Sequence, residues 1–313
     1  MRTPPGAPSA LSGPMAELWS LRGLSLRELA VRTARRSWED EVFGQASRLA
    51  FYFFFALFPV LLLLIMLAKS GNVGPDWRRA LLAMFAQVLP RNAAAIVART
   101  VRQLNGQARL GVSGISALAS GIWGAMNGTW AIMTGLNNAY EVEEKRPFWR
   151  VVLIALGLTV SLCGLGLVAL GAVLLSRHIG HKLGIEDRFE PLWNLTQWAV
   201  TAVLLLFSFA LIYRFGPNLK DRRWEWSSPG AVTAVVLWIA AAALLRLYQQ
   251  HFDSTKKIYA GLSSVATLLL FFYFTGAAIF IGGEVNSEIE KAAAEAGHKD
   301  VRARDDERTG AKD

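Results

Sequence analysis

Six stretches of this chain contain no Asp, Glu, Lys or Arg, and each holds at least 20 residues: Leu49–Ala68, Leu110–Tyr140, Val151–Ser176, Pro191–Tyr213, Trp226–Leu245 and Ile258–Gly283. A 20-residue helix rises about 30 Å, the thickness of the hydrocarbon core of a bilayer. A core helix of a soluble protein rarely stays uncharged so long, because its outer face meets water. Charged residues make up 18% of the chain. Random scatter would spare a given window of that length only roughly 2% of the time, so six windows predict six spans. The expected fold class is all-α: a polytopic membrane protein with six transmembrane helices at about 49–68, 111–136, 151–176, 192–213, 227–247 and 259–283.

The formal charge of +9 suits the flanks of such spans and needs no nucleic acid partner. The seven segments outside the windows carry, in order, seven, seven, three, three, four, three and six Lys or Arg. The side holding both termini therefore has twenty, against thirteen opposite, and the positive-inside rule predicts cytoplasmic ends in a plasma (inner) membrane. Met1 to Leu21 lacks the continuous apolar core of a signal peptide. Residues 1–26 and the charged 298–313 read as disordered tails around one membrane domain, 27–297. In the first extracytoplasmic loop, Trp77, Leu81, Phe85 and Val88, then Ile96, Val97, Thr100, Val101 and Leu104, recur at helical spacing around Pro90. They predict two amphipathic helices over 77–104, which either rest at the interface or dip in to cap a cavity.

The second window has its own periodicity. "SGISALASGIWGAMNGTWAIMTGLNNAY" divides into sevens that each open with a small polar residue and a glycine. In a helix packed at 3.5 residues per turn, Ser113, Ser120, Asn127 and Thr134 form one line, with Trp123, Trp130 and Asn137 on the same broad side. Leu118, Ala125 and Ile132 lie opposite, free to face lipid. The polar side is expected to turn inward. Gly124 and Gly128 permit close helix packing there, and the polar line either bonds to a neighbouring helix or borders a passage walled by Trp123 and Trp130.

Pro59 interrupts the first window and predicts a kink, or a hinge for alternating access. Glu284, at the end of the last window, is expected at the cytoplasmic boundary in an ion pair with Arg48 or Arg214. Seated deeper, it would instead read as a proton-coupling carboxylate. His178 and His181, in "HIGH", follow an apolar helix rather than the strand-to-helix turn that this string needs at a nucleotide site. No metal site, cofactor or catalytic set is expected: HExxH, Gly-x-Ser-x-Gly, Walker A and dinucleotide patterns are absent. The single cysteine, Cys163, excludes a disulfide within one chain.

Four stretches together resemble the YihY/BrkB family of bacterial inner-membrane proteins: "RLAFYFFFALFPVLLLL", "GLNNAYEVEEKRPFWR", "YRFGPNLKDRRWEWSSPGAV" and "YAGLSSVATLLLFFYFTGAAIFIGGEVNS". With their spacing they cover roughly Leu29 to Lys291. One departure is Gly283, where relatives commonly place alanine. The resemblance implies six spans and cytoplasmic ends but supplies no catalytic set. Members once carried a ribonuclease BN label, now regarded as a misassignment, and others are linked to serum resistance or to export of lipid and lipopolysaccharide precursors. The expected function is transport or flipping of an envelope lipid or other amphiphile, with membrane lipids as partners and a homodimer allowed. The competing reading is a non-transporting assembly partner of an envelope machine. RNA cleavage is the least favoured.

Overall fold

A computed structural model describes residues 24–70, 76–107, 112–183, 186–219, 228–251 and 256–295. Among these there are nine helices and no strand: α1 (Leu26–Glu39), α2 (Val42–Ser70), α3 (Asp76–Val88), α4 (Arg91–Gln107), α5 (Val112–Ala139), α6 (Phe148–Leu183), α7 (Glu186–Phe215), α8 (Pro229–His251) and α9 (Lys256–Glu295). Residues 1–23 and 296–313, which hold nearly all of both expected tails, lie outside the described residues.

Among the described residues, four helical segments are long and apolar enough to cross a membrane: Val42–Met66, Phe148–Ala169, Pro229–Gln250 and Ser263–Ala293. The remaining two of the six expected windows fall on α5 and α7. α5 is uncharged throughout, but its Gly, Ser, Asn and Thr dilute its hydropathy, and the described part of α7 that is apolar is Ala199–Phe215. The last expected span ends at residue 283, whereas α9 continues without a break to Glu295. At 40 residues it is about 60 Å long, twice the hydrocarbon thickness.

α9 is the axis of the bundle and packs against α1, α2, α4, α5 and α8. Two apolar clusters lie along it. One joins Val42, Leu49, Ile132, Leu136, Phe209, Ile212, Ala231, Ala277 and Phe280. The other joins Leu61 and Ile65 to Trp77, Leu81, Val97 and Val101 of α3 and α4, and to Trp238, Leu245, Leu268 and Phe271. The apolar faces of α3 and α4 thus bury against the bundle itself, and Leu89 and Pro90 at their junction are buried too. α2 runs as one helix through Pro59.

Small residues set the helix crossings. In lipid there is no hydrophobic force between helices, so close backbone approach has to supply the contact. A Cβ at Gly276 would lie 3.1 Å from Ala46 Cα, where α9 crosses α2. Gly230 of α8 and Gly282 of α9 meet backbone to backbone, with Gly282 O against the Cα of Gly230. Side chains satisfy the polar groups at that crossing. Ser228 caps α8 by accepting from Ala231 N at 3.2 Å, Pro229 follows as its first residue, and Asn286 Oδ1 accepts from Gly230 N at 2.8 Å. Tyr213 donates to Ile279 O at 2.8 Å.

Candidate functional site: a polar helix face that ends at a charged cleft

The cleft forms where two chain reversals meet. Ser25 opens α1 by accepting from Glu28 N at 3.1 Å, and α1 lays Leu29, Thr33 and Ser37 on α9. At its far end the chain turns through Asp40 and Glu41, and Glu41 takes a left-handed conformation (φ 50°) before α2 begins. After α5 the chain turns the same way at Glu141, also φ 50°. Both positions favour glycine, so placing glutamate there stores backbone strain. The two turns border a cleft of about 440 Å³ lined by five carboxylates (Glu39, Asp40, Glu41, Glu141, Glu143), with Arg48, Gln45, Asn137 and Asn138.

One wall is a ring of ion pairs tying α1, the turn after α5 and α9 together. Lys291 donates to Glu141 at 2.8 Å and to Glu288 at 2.9 Å, and Arg36 reaches the same two carboxylates at 3.1 and 3.6 Å. A second knot fixes the end of α5. Asn137 donates to Glu144 at 2.9 Å and accepts from Asn218 N at 2.7 Å, while Arg146 holds Glu144 and donates to Gly216 O at 3.0 Å. Burial pushes the Glu144 carboxyl up, but hydrogen bonds from Arg146 and Asn137 outweigh it and hold the group below the usual carboxylate range. Asn137 therefore serves as a structural clamp.

Behind the cleft lies Glu284. It is 0% exposed, and neither carboxylate oxygen has a hydrogen-bond partner. The expected ion pair is not formed: Arg48 points outward from α2 into the cleft, and the Arg214 guanidinium stacks 5.4 Å from the Phe215 ring. The reason is the unbroken course of α9, which packs Glu284 inside the bundle, away from both arginines. The Asp40 carboxyl lies against Glu284 within hydrogen-bonding reach, and Asp40 Oδ2 is likewise buried without a partner. Two carboxylates offer only acceptors, so no bond forms between them unless one carries a proton.

α5 is rotated relative to the sequence expectation: Gly124, Gly128 and Asn137 face the bundle, but most of the polar line turns outward. Ser116, Ser120, Trp123, Trp130, Thr134 and Asn138 are exposed, Trp123 by 70%, and Asn127 is half-buried, donating to Trp123 O of its own helix at 2.8 Å. Ile132, expected to face outward, is 2% exposed in the core. The glycines decide this. Gly124 lies over Ala56, Gly128 over Tyr52 and Phe53, and Gly135 over Phe280 and Gln45, so the glycine ridge turns toward α2 and α9 and swings the polar line out. Ser113 is in α5, but its side chain lies outside the described ones. The outward stripe from Ser116 steps by three or four residues to Asn138, a lining residue of the cleft.

Asp40, Glu141, Glu288 and Lys291 were missed by sequence reasoning. The only signal for Asp40 was the acidic run at the end of α1, and for Glu288 and Lys291 it was their i, i+4, i+7 spacing with Glu284, which a helix continuing past residue 283 would have brought to one face. Among the described residues no group of three or more His, Cys, Asp or Glu is placed to hold a metal ion.

Comparison with known proteins places these features in context. Residues 33–307 match the family described as Virulence factor BrkB. The chain is 31% identical over 252 residues to YfkH of Bacillus subtilis strain 168, named as ribonuclease-like; the match covers 79% of this chain and 90% of YfkH. It is 24% identical over 263 residues to a UPF0761 membrane protein of Xanthomonas oryzae pv. oryzae, covering 82% of this chain and 59% of that protein. A UPF0761 membrane protein of Xanthomonas campestris pv. campestris matches at the same identity and coverage. The chain thus spans about 59% of the length of these two Xanthomonas relatives. No solved structure matches.

Proposed function

We propose, from the premise that the chain belongs to the BrkB family of membrane proteins, that it carries the headgroup of an envelope lipid or other amphiphile along the outer face of α5. In this reading the chain crosses the inner membrane six times with both termini in the cytoplasm, α5 and α7 supplying the remaining two spans. The observation that carries the proposal is the exposed polar stripe from Ser116 to Asn138. It spans 23 residues, a rise of about 33 Å along the helix, the full hydrocarbon thickness. Polar groups turned toward hydrocarbon are unfavourable unless something polar meets them. A headgroup sliding along the stripe while its chains remain in the bilayer would do so. The cleft at the end of the stripe, with five carboxylates and Arg48, suits a headgroup that pairs an amine with a phosphate.

The test is reconstitution of the full chain into liposomes containing labelled phospholipid or a labelled lipid A precursor. Transbilayer movement should exceed that of empty vesicles and fall several-fold in Asn127→Leu and Thr134→Leu, whose thermal stability should stay unchanged because neither side chain bonds a neighbouring helix. Movement equal to empty vesicles for the wild type would overturn the proposal. That outcome, together with co-purification of one envelope protein that the Trp123→Ala variant loses, would favour the assembly-partner reading.

A further inference from the structure

We infer that Asp40 and Glu284 form a proton-exchange site: a carboxyl pair that shares one proton and communicates with the cleft through Asp40. The geometry carries this. Glu284 is completely buried, and both its oxygens lack a donor. Asp40 Oδ2, also buried and without a donor, belongs to the side chain that both lies against Glu284 and lines the cleft.

The buried and half-buried polar groups around the pair are already engaged, and the one exposed cation is Arg48 in the cleft. From α9, Lys291 is held by Glu141 and Glu288, and Glu288 in turn holds Lys291 and Arg36. From α1, Arg36 is divided among Glu39, Glu141 and Glu288. From α7, the Tyr213 hydroxyl that reaches Gly282 donates to Ile279 O. From α8, Ser228 and Asn286 bond to each other across the crossing. On α2, Gln45 donates to Asp40 O at 2.7 Å rather than to a carboxylate, and Arg48 stands exposed in the cleft.

Lys291 and Arg36 are therefore shared among other carboxylates and neither bonds to Glu284, and two ionised carboxylates in contact repel. A single proton removes both difficulties. It gives one carboxyl an O–H that the other accepts, and it leaves one negative charge on the pair. A metal ion would need more oxygen ligands, and the described residues place no such group. On exchange, the shared proton passes from the pair to water in the cleft on the Asp40 side, leaving both carboxyls ionised; re-entry reverses the step. Its use as a driving force for amphiphile movement rests on the transport reading, but the proton itself does not.

The full chain in lipid nanodiscs, without substrate, tests this by infrared spectroscopy. At a pH where exposed carboxylates are ionised, the wild type should show a protonated-carboxyl C=O stretch that shifts in D₂O. The band should vanish in Glu284→Gln and vanish or shift in Asp40→Asn, while Glu288→Gln leaves it in place. Absence of the band in the wild type, or an unchanged band in Asp40→Asn, would overturn the inference. The wild-type measurement decides even if a variant fails to fold. A normal band with no lipid movement would sink the transport reading alone.

Discussion

Glu284 and Glu288 stand one turn apart on α9 and both are buried, yet Glu288 holds Lys291 at 2.9 Å while Glu284 has no partner for either oxygen. Their amide variants should therefore diverge. Glu288→Gln leaves Lys291, itself 13% exposed, and Arg36 with Glu141 as their only shared carboxylate. It should lower stability by about 2 kcal/mol, less than the loss of a fully buried pair because Glu141 remains. Glu284→Gln supplies the missing N–H donors to Asp40 and should leave stability unchanged or raise it. Thermal unfolding of both variants in one detergent checks the order, and equal losses would contradict it.

Two sets of glycines are predicted to behave in opposite ways. At Gly230 and Gly282 an added Cβ would collide with the backbone of the facing helix. Gly230→Ala and Gly282→Ala should each destabilise by about 1–3 kcal/mol through overpacking. At Gly157, Gly164, Gly166 and Gly171 on α6, nothing lies within 4 Å of an added Cβ. Alanine there should be neutral or should stabilise by up to about 1 kcal/mol, since alanine is the better helix former. Melting temperatures in detergent decide the matter, and a large loss at the α6 positions would mean that this face is covered by something else.

The helical architecture was legible because charge avoidance and period are local properties of a sequence. The windows on α2, α6, α8 and α9 follow from the former, and the latter groups the residues that share one side of a helix. The rotation of α5 was not. Heptad lines tell which residues share a face but not which face turns in, and here Gly124, Gly128 and Gly135 decide that against α2 and α9. Nor was the burial of Glu284 legible. The first charge after an apolar run reads as a span's end, whereas α9 continues for three further turns. The partner role of Asp40 depends on α1 folding back along α9, a contact with no sequence periodicity behind it.

The clamp at the end of α5 should be sensitive to acid. Glu144 is held below the usual carboxylate range because bonds from Arg146 and Asn137 outweigh its burial. A depressed carboxyl stabilises the fold at every pH above its unfolded value, near 4.3, and this contribution is lost as pH falls through the folded value. At neutral pH Glu144→Gln should reduce stability by about 1 kcal/mol, a modest figure for charge-assisted bonds that are partly exposed. The gap between variant and wild type should close as the pH drops below about 4. A gap independent of pH would mean that the amide fails to fit the clamp sterically, and that the charge is not what matters.

The two left-handed glutamates provide a last separation of backbone from side chain. Glu41 and Glu141 both sit at φ 50°, where a residue with a Cβ costs about 1–2 kcal/mol relative to glycine. Glu41 is exposed at the α1–α2 turn, so Glu41→Gly should relieve strain with little offsetting loss and raise stability by up to about 1 kcal/mol. Glu141 also joins Lys291 at 2.8 Å and Arg36 at 3.1 Å. Glu141→Gly gains the same backbone relief but opens the ring that ties α1 to α9, and it should be net destabilising. If strain at the cleft has been retained for function, Glu41→Gly should also show weaker lipid movement in liposomes despite its higher melting temperature. Equal movement with higher stability would make the left-handed turn dispensable and leave the carboxylates as the functional part of the cleft.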